Sequence, residues 1–155
     1  MPSLAESVVK ELKTILDRTT TGYKPEVQHV LTGEQIIAGQ NLVKRVVIAP
    51  HVQDYVIRMV LATHPIGAFA TPSVNKYVRW GSSPRGAQAL TLAAKIYALL
   101  DGRYNVGFED VKKAAPHALR HRLLLNFEGE AEGLSTDIIL QDIMSSLPQM
   151  AEKAA

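Results

Sequence analysis

The residues with the clearest capacity for chemistry are Trp80-Gly81-Ser82-Ser83-Pro84-Arg85. Serine caps helices by accepting a hydrogen bond from an orphan backbone N–H, and proline suits the first helical position, where no N–H is needed. The spacing therefore predicts a helix that is capped by Ser83, begins at Pro84 and carries Arg85 in its first turn. A cation there opposes the positive end of the helix dipole at a cost of ~0.3–1 kcal/mol. An anion reverses that sign. A phosphate at this spot would meet free N–H groups and a planar guanidinium that donates two parallel hydrogen bonds. Spacing alone leaves two readings open: a phosphate-binding arginine, or a surface arginine that merely follows a capping serine.

Other groupings carry weaker signals. His117 and His121 stand four apart, a spacing that can chelate a metal, but no glutamate adjoins the first histidine and no third ligand is evident, so no metal site is expected. Lys113, His117, Arg120, His121 and Arg122 form a basic group that could receive phosphates, or simply place cations at a helix C-terminus. Glu128, Glu130 and Glu132 alternate without a defined acid or base partner and read as a solvated stretch. Tyr77, Arg79 and Trp80 interleave aromatic and basic groups as single-strand binders do, but three residues are thin support. A staple packing this segment onto the protein body is the expected role of Trp80. The chain contains no phosphate loop of the Gly-x-x-x-x-Gly-Lys-Ser/Thr type, so it is not expected to hydrolyse a nucleotide alone.

The elements that must position these residues read as helices. Ser3 with Glu6, and Thr32 with Gln35, have capping-box spacing ahead of apolar residues at helical intervals. Pro50 suits the start of a third helix with Val52, Tyr55, Val56, Met59 and Val60 on one face and an Asp54/Arg58 surface pair, ending near His64-Pro65. Pro65 to Ser83 reads as a long loop. The helix from Pro84 to about Asp101 is apolar nearly all round, with Arg85, Gln88, Thr91 and Lys95 as its polar stripe, and is expected at the centre of a bundle with Gly102 as its stop. Phe108 starts another helix, which Pro116 should kink or divide. Ser135 or Thr136 caps a last one with Ile139, Leu140, Ile143, Met144 and Leu147 inward. Leu123-Leu124-Leu125 is too short to assign, and no strand pattern exceeds Arg45 to Ile48. The class is all-α.

With 155 residues, 46% of them hydrophobic and 21% charged, the chain suits one domain, or one domain plus a connecting segment. A net charge of +2 gives no strong pull toward nucleic acid or an anionic membrane. Cysteine is absent, which removes disulfides and thiolate chemistry and fits a reducing cytoplasm. No apolar run approaches the ~18 residues that span a bilayer, and the start lacks a signal-peptide pattern. Met1-Pro2-Ser3 opens almost directly into a helix, as an excised fragment would.

Gly81-Ser82-Ser83-Pro84-Arg85, Gly102-Arg103, Glu109-Asp110-Val111 and Leu119-Arg120-His121-Arg122-Leu123, in this order and spacing, resemble the C-terminal part of MoxR-type AAA+ ATPases. The likeness extends over Val52 to Thr63 and Phe127 to Gly133, and loosely back to Pro2. In that family an αβα core with the phosphate loop and metal-binding acids precedes a helical lid. The resemblance implies an all-α bundle, the lid, over residues 46–148, connecting helices at the core/lid junction over 1–45, and a tail over 149–155. It further implies that Arg85 is the sensor-2 arginine, positioned by Ser83 and Pro84, reaching the terminal phosphates of ATP with magnesium in the intact parent. The partners implied are the protein's own AAA+ core, neighbouring subunits of a homo-oligomeric ring, expected to be a hexamer, and von Willebrand factor A-domain proteins. The setting implied is a cytoplasmic, chaperone-like machine. Many members carry arginine after Ala-Thr where this chain has His64, and a capping serine or threonine with proline where it has Gly107-Phe108; the second difference should weaken a helix start without changing the fold. The rival classes are a helical nucleic-acid module using Lys112, Lys113, Arg120 and Arg122, which the low net charge disfavours, and a structural interaction domain.

Overall fold

Local signals start and stop the helices. The computed structural model describes the backbone of residues 4–150 and the side chains of residues 7–150, so the expected Ser3/Glu6 capping pair lies outside the described residues. In chain order come α1 (Leu4–Thr20), α2 (Gly33–Arg45), β1 (Val47–Ile48), α3 (Pro50–Ala62), α4 (Pro72–Tyr77), β2 (Val78–Trp80), α5 (Pro84–Leu100), β3 (Asn105–Val106) and α6 (Phe108–Leu119). A 3-10 turn (Arg120–Arg122), β4 (Leu124–Leu125), α7 (Phe127–Ala131) and α8 (Thr136–Ser146) follow. The fold is all-α with four very short strands among the described residues.

The chain divides into two compact units, Met1–Ile36 and Ile37–Ala155. The first holds α1 and the reciprocal capping box that opens α2: the Thr32 N–H donates to Gln35 Oε1 at 2.8 Å, and the Gln35 N–H donates to Thr32 Oγ1 at 3.2 Å.

The second unit is built on one core. Val52, Tyr55, Val56 and Met59 of α3 meet Leu90, Ala94 and Ala98 of α5, Val111, Ala114, Ala115 and Leu119 of α6, and Ile139, Leu140 and Ile143 of α8. Each large side chain buried there contributes ~1.5–3 kcal/mol. The alanines let α5 and α6, the most extensively packed pair, approach closely. Gly102, at φ +72°, closes α5 with the Gly102 N–H on Leu99 O (2.9 Å) and the Arg103 N–H on Ala98 O (2.8 Å), a Schellman pair that requires a left-handed residue. Ser135 caps α8 by accepting from the Asp137 N–H. Two ties complete the unit: β1 pairs with β3 in parallel (Val47 with Asn105), and β2 pairs with β4 antiparallel (Val78 with Leu125, Trp80 with Leu124).

Four expectations change. First, α5 is not buried all round: Gly86, Leu90, Ala94 and Ala98 form its one buried stripe, while Leu92, Ile96 and Leu100 are exposed, because a unit of this size supplies neighbours to only one side of the helix. Second, the segment from Pro65 to Ser83 is not a loop throughout but holds α4 and β2; Thr71 caps α4 by accepting from the Val74 N–H and Pro72 sits in its first turn, the same pattern as Ser83-Pro84. Third, Pro116 does not divide α6, which runs to Leu119, since the single backbone donor it removes lies one turn from the helix end. Fourth, the Asp54/Arg58 pair forms at 2.7 Å, but Arg58 is buried and also donates to the carbonyls of Pro148 (2.7 Å) and Gln149 (3.0 Å), fastening the chain after α8 to α3.

Candidate functional site

The start of α5 is a backbone crossing held from below by the C-terminal end of α3. A Cβ at Gly81 would lie 2.6 Å from Thr63 O and 2.7 Å from Thr63 Oγ1, so only glycine lets the chain pass there. The next residue, buried Ser82, is bonded on both sides. Its N–H donates to Thr63 Oγ1 at 2.8 Å, and its carbonyl lies 2.9 Å from His64 Nε2. Thr63 is fully buried and donates its own hydroxyl to Val60 O at 2.6 Å, which orients the oxygen that receives the Ser82 N–H. Gly86, one turn into α5, is closely packed by side chains: a Cβ would sit 1.9 Å from Ser82 Oγ, which would have to rotate away, and 3.1 Å from Leu119 Cδ2.

Ser83 occupies the N-cap position in extended conformation and Pro84 the first turn. The expected side-chain cap does not form. The Gly86 N–H instead bonds the Ser83 carbonyl at 2.7 Å, and the Ser83 side chain is exposed. The physical reason is the anchoring just upstream: with Ser82 fixed by Thr63 and His64, the entering chain is already directed, and the Ser83 hydroxyl is not drawn over the first turn. Arg85 projects from that turn, exposed, with no hydrogen bond or ion pair among the described residues. Its guanidinium is free to take a ligand. Arg45 and Arg79 likewise have no side-chain hydrogen bond or ion pair among the described residues, whereas Arg58 donates three hydrogen bonds, Arg103 forks onto Asp110, and Arg120 pairs with Asp137 at 2.9 Å.

Arg103 and Asp110 form a second fixed point. The guanidinium donates to Asp110 Oδ1 at 2.6 Å and Oδ2 at 2.8 Å, while the Gly107 N–H adds a third bond to Oδ2 at 2.8 Å. The guanidinium fork, chiefly, holds the Asp110 carboxyl below the usual carboxylate range. Gly107 has no side chain with which to cap α6, and Asp110 takes over by reaching back to its N–H.

The remaining groupings do not assemble into sites. α6 ends at Leu119 and His121 lies in the 3-10 turn, so His117 and His121 do not share one continuous α-helical face; no cluster of three metal-binding side chains exists among the described residues. The basic group is largely engaged: Lys112 with Glu109 at 2.9 Å, Lys113 over the Tyr97 ring, Arg120 with Asp137, and Arg122 with Ala118 O. Glu128 and Glu132 both pair with Lys76, and Glu132 also accepts from the Tyr77 hydroxyl, which joins α7 to α4. Trp80 is not a staple. It is 63% exposed, because β2 pairs only with the two-residue β4 and nothing among the described residues covers the indole. Thr63 and His64 escaped the sequence reading of the site, since they lie 18 to 19 residues from Ser82 and no local pattern links them.

Comparison with known proteins now bears on this geometry. The model of the AAA lid domain family matches residues 72–143, from α4 into α8. The chain is 33% identical over 133 residues to the chaperone MoxR1 of Mycobacterium tuberculosis, covering 81% of this chain and 34% of that protein. The chain contains an AAA lid domain and is homologous to a MoxR chaperone. An uncharacterized protein, YeaC, of Bacillus subtilis is 32% identical over 131 residues, covering 83% of the chain and 38% of its own length. The crystal structure of a putative ATPase from Cytophaga hutchinsonii superimposes with a TM-score of 0.76 at 28% identity, over 93% of this chain and 43% of that one. The lid chain thus spans between about a third and two fifths of the curated relatives it matches. Ser82, Arg85 and the Arg103–Asp110 fork fall within the lid match, whereas Thr63 and His64, which hold Ser82, precede it. No helix among the described residues is long and apolar enough to cross a membrane.

Proposed function

We propose that this lid serves an AAA+ ATPase by presenting Arg85 as a sensor-2 arginine to the terminal phosphates of ATP. The observation that carries the reading is an exposed, unpartnered arginine on the first turn of a helix whose start is bound rigidly to the neighbouring helix. An unpaired cation at a helix N-terminus is unfavourable on its own and becomes favourable beside a phosphate, to which the guanidinium can donate. Arg85 fits a phosphate in charge and fork geometry. The described residues contain no acid cluster suited to magnesium, so in this reading the metal and the phosphate loop belong to an AAA+ core elsewhere in the intact protein. ATP supplies the phosphoryl group; Arg85 would hold and neutralise its terminal oxygens, and Ser83 and Pro84 would direct the turn that carries it.

In the same reading, residues 1–45 connect the core to the lid over 46–148, and 149–155 form a tail. Rotation of the lid would bring Arg85 toward or away from the phosphates, so nucleotide state would set the geometry between neighbouring subunits of a ring, a hexamer in this reading. One relative bears the name chaperone, and we extend to this lid a part in a cytoplasmic, chaperone-like machine, with von Willebrand factor A-domain proteins as partners.

The test is Arg85→Ala in the intact protein. Turnover should fall at least about tenfold, below the 10³–10⁵ worth of a trans-acting arginine finger, with the helical spectrum and melting unchanged. Arg85→Lys should recover only part of the loss, because an ammonium cannot reproduce the bidentate fork. Near-normal turnover and nucleotide affinity in both variants would return Arg85 to an ordinary surface residue.

A further inference from the structure

We propose that His64 is a positioning residue for Arg85, acting through the carbonyl of Ser82; the inference rests on the nucleotide role given to Arg85 above. A carbonyl oxygen only accepts, so the 2.9 Å contact requires the proton on His64 Nε2, whether the ring is neutral or charged. Thr63 Oγ1 holds the N–H of the same residue at 2.8 Å. Two bonds on opposite sides of Ser82 fix both the place and the direction in which the chain enters α5, whereas one bond alone leaves a pivot. The glycine at position 81 already presses the chain against Thr63, and Gly86 seats the first turn over Ser82, so rotation about the Thr63 bond is the remaining freedom. His64 removes it. Arg85 stands three residues beyond that pivot on a long side chain, and a small rotation at Ser82 is enlarged at the guanidinium. Misplacement of a reacting group by about 1 Å can cost on the order of 10²-fold in rate.

The half-buried setting of His64 and its place just after the last turn of α3 suit a fastener rather than a ligand-binding group. Nothing requires it to touch nucleotide. Its action is wholly through the backbone of the α5 start, and its contribution should therefore disappear when Arg85 is absent.

The experiment uses the intact protein with His64→Ala, His64→Phe and His64→Gln, each with Arg85 and with Arg85→Ala. Phenylalanine keeps a ring of similar size but cannot donate, and glutamine places a donating Nε2 the same number of bonds from the backbone. His64→Ala and His64→Phe should lower the turnover number at least about fivefold with little change in the KM for ATP, the scale expected for loss of one directing hydrogen bond. Glutamine should restore most of the loss. In the Arg85→Ala background the same substitutions should change turnover less than about twofold. Hydrogen–deuterium exchange of peptides covering 78–90 should accelerate in the alanine and phenylalanine variants, while peptides of α8 remain unchanged. The inference is overturned if turnover and exchange are unaffected, or if the loss is as large without Arg85 as with it. Should Arg85→Ala leave turnover intact, the nucleotide reading fails, and the exchange of residues 78–90 then decides the clamp alone: unchanged exchange removes it, accelerated exchange upholds it.

Discussion

Replacing Asp110 by asparagine removes one charge from the most heavily bonded carboxylate of the lid. The Asp110 side chain is 3% exposed and accepts three hydrogen bonds, two from Arg103 and one from the Gly107 N–H. Asparagine keeps one acceptor oxygen but turns the other position into a donor, which then faces either the guanidinium or the Gly107 N–H. Breaking a buried ion pair costs about 3–5 kcal/mol, but the Arg103 side chain is 40% exposed and water can resolvate it, so about 2–3 kcal/mol is expected. For a chain of this size that is a fall of roughly 4–12 °C in Tm. The pH dependence follows from the direction of the shift. Asp110 has its carboxyl pKa depressed by Arg103 in the folded state and near 3.9 unfolded, so the stabilisation is complete above the unfolded value. It fades as the pH falls from about 5 and is lost below the folded value. Urea unfolding of both proteins between pH 7 and pH 2.5 measures the gap directly, since all other carboxylates titrate in both. A gap under about 0.5 kcal/mol at neutral pH, or one that stays constant to the acid end, would refute the assignment of the fork as a stabilising pair.

Two further substitutions probe the helix start and its surroundings. Gly86→Ala sets a Cβ 1.9 Å from Ser82 Oγ, and about 1–3 kcal/mol of destabilisation is expected in denaturant unfolding, with part recovered when Ser82→Gly removes the obstructing side chain. Trp80→Ala should shift stability by no more than about 0.5 kcal/mol by circular dichroism, because the indole is mostly in water; a loss above 2 kcal/mol would show that it packs after all.

What the sequence made legible was local. Thr32 with Gln35, Pro50, Gly102 and Ser135 each act within four residues of the backbone groups they serve, and each lies where its spacing predicts. Thr71-Pro72 carries the same signal as Ser83-Pro84, yet α4 was hidden because the surrounding prolines and glycines read as loop. β1 and β3 are two residues long and paired across more than fifty positions, so no periodicity could announce them. Composition showed that α5 is apolar but not how many of its sides have neighbours, and that number depends on the whole unit. The helix start that carries Arg85 was visible from its motif, whereas the Thr63 and His64 bonds that hold Ser82 are products of tertiary proximity.

The Arg85 turn also shows how the lid can carry an unfavourable feature without loss of fold. A lone cation at the N-terminus of α5 opposes the dipole by ~0.3–1 kcal/mol, and neither a side-chain cap at Ser83 nor a carboxylate in the first turn offsets it. α6, by comparison, has Glu109 and Asp110 in its first turn, the arrangement the dipole favours. The α5 start is instead stabilised from outside the helix, through Ser82 to Thr63 and His64, and from one turn onward by Leu90, Ala94 and Ala98 in the core. The stabilising interactions thus involve Ser82 and the helix beyond its first turn, and none of them involves the Arg85 side chain. In the proposed reading, a phosphate at Arg85 would relieve the electrostatic cost without disturbing the anchoring, so the turn would respond to charge while the helix beneath it stays in place.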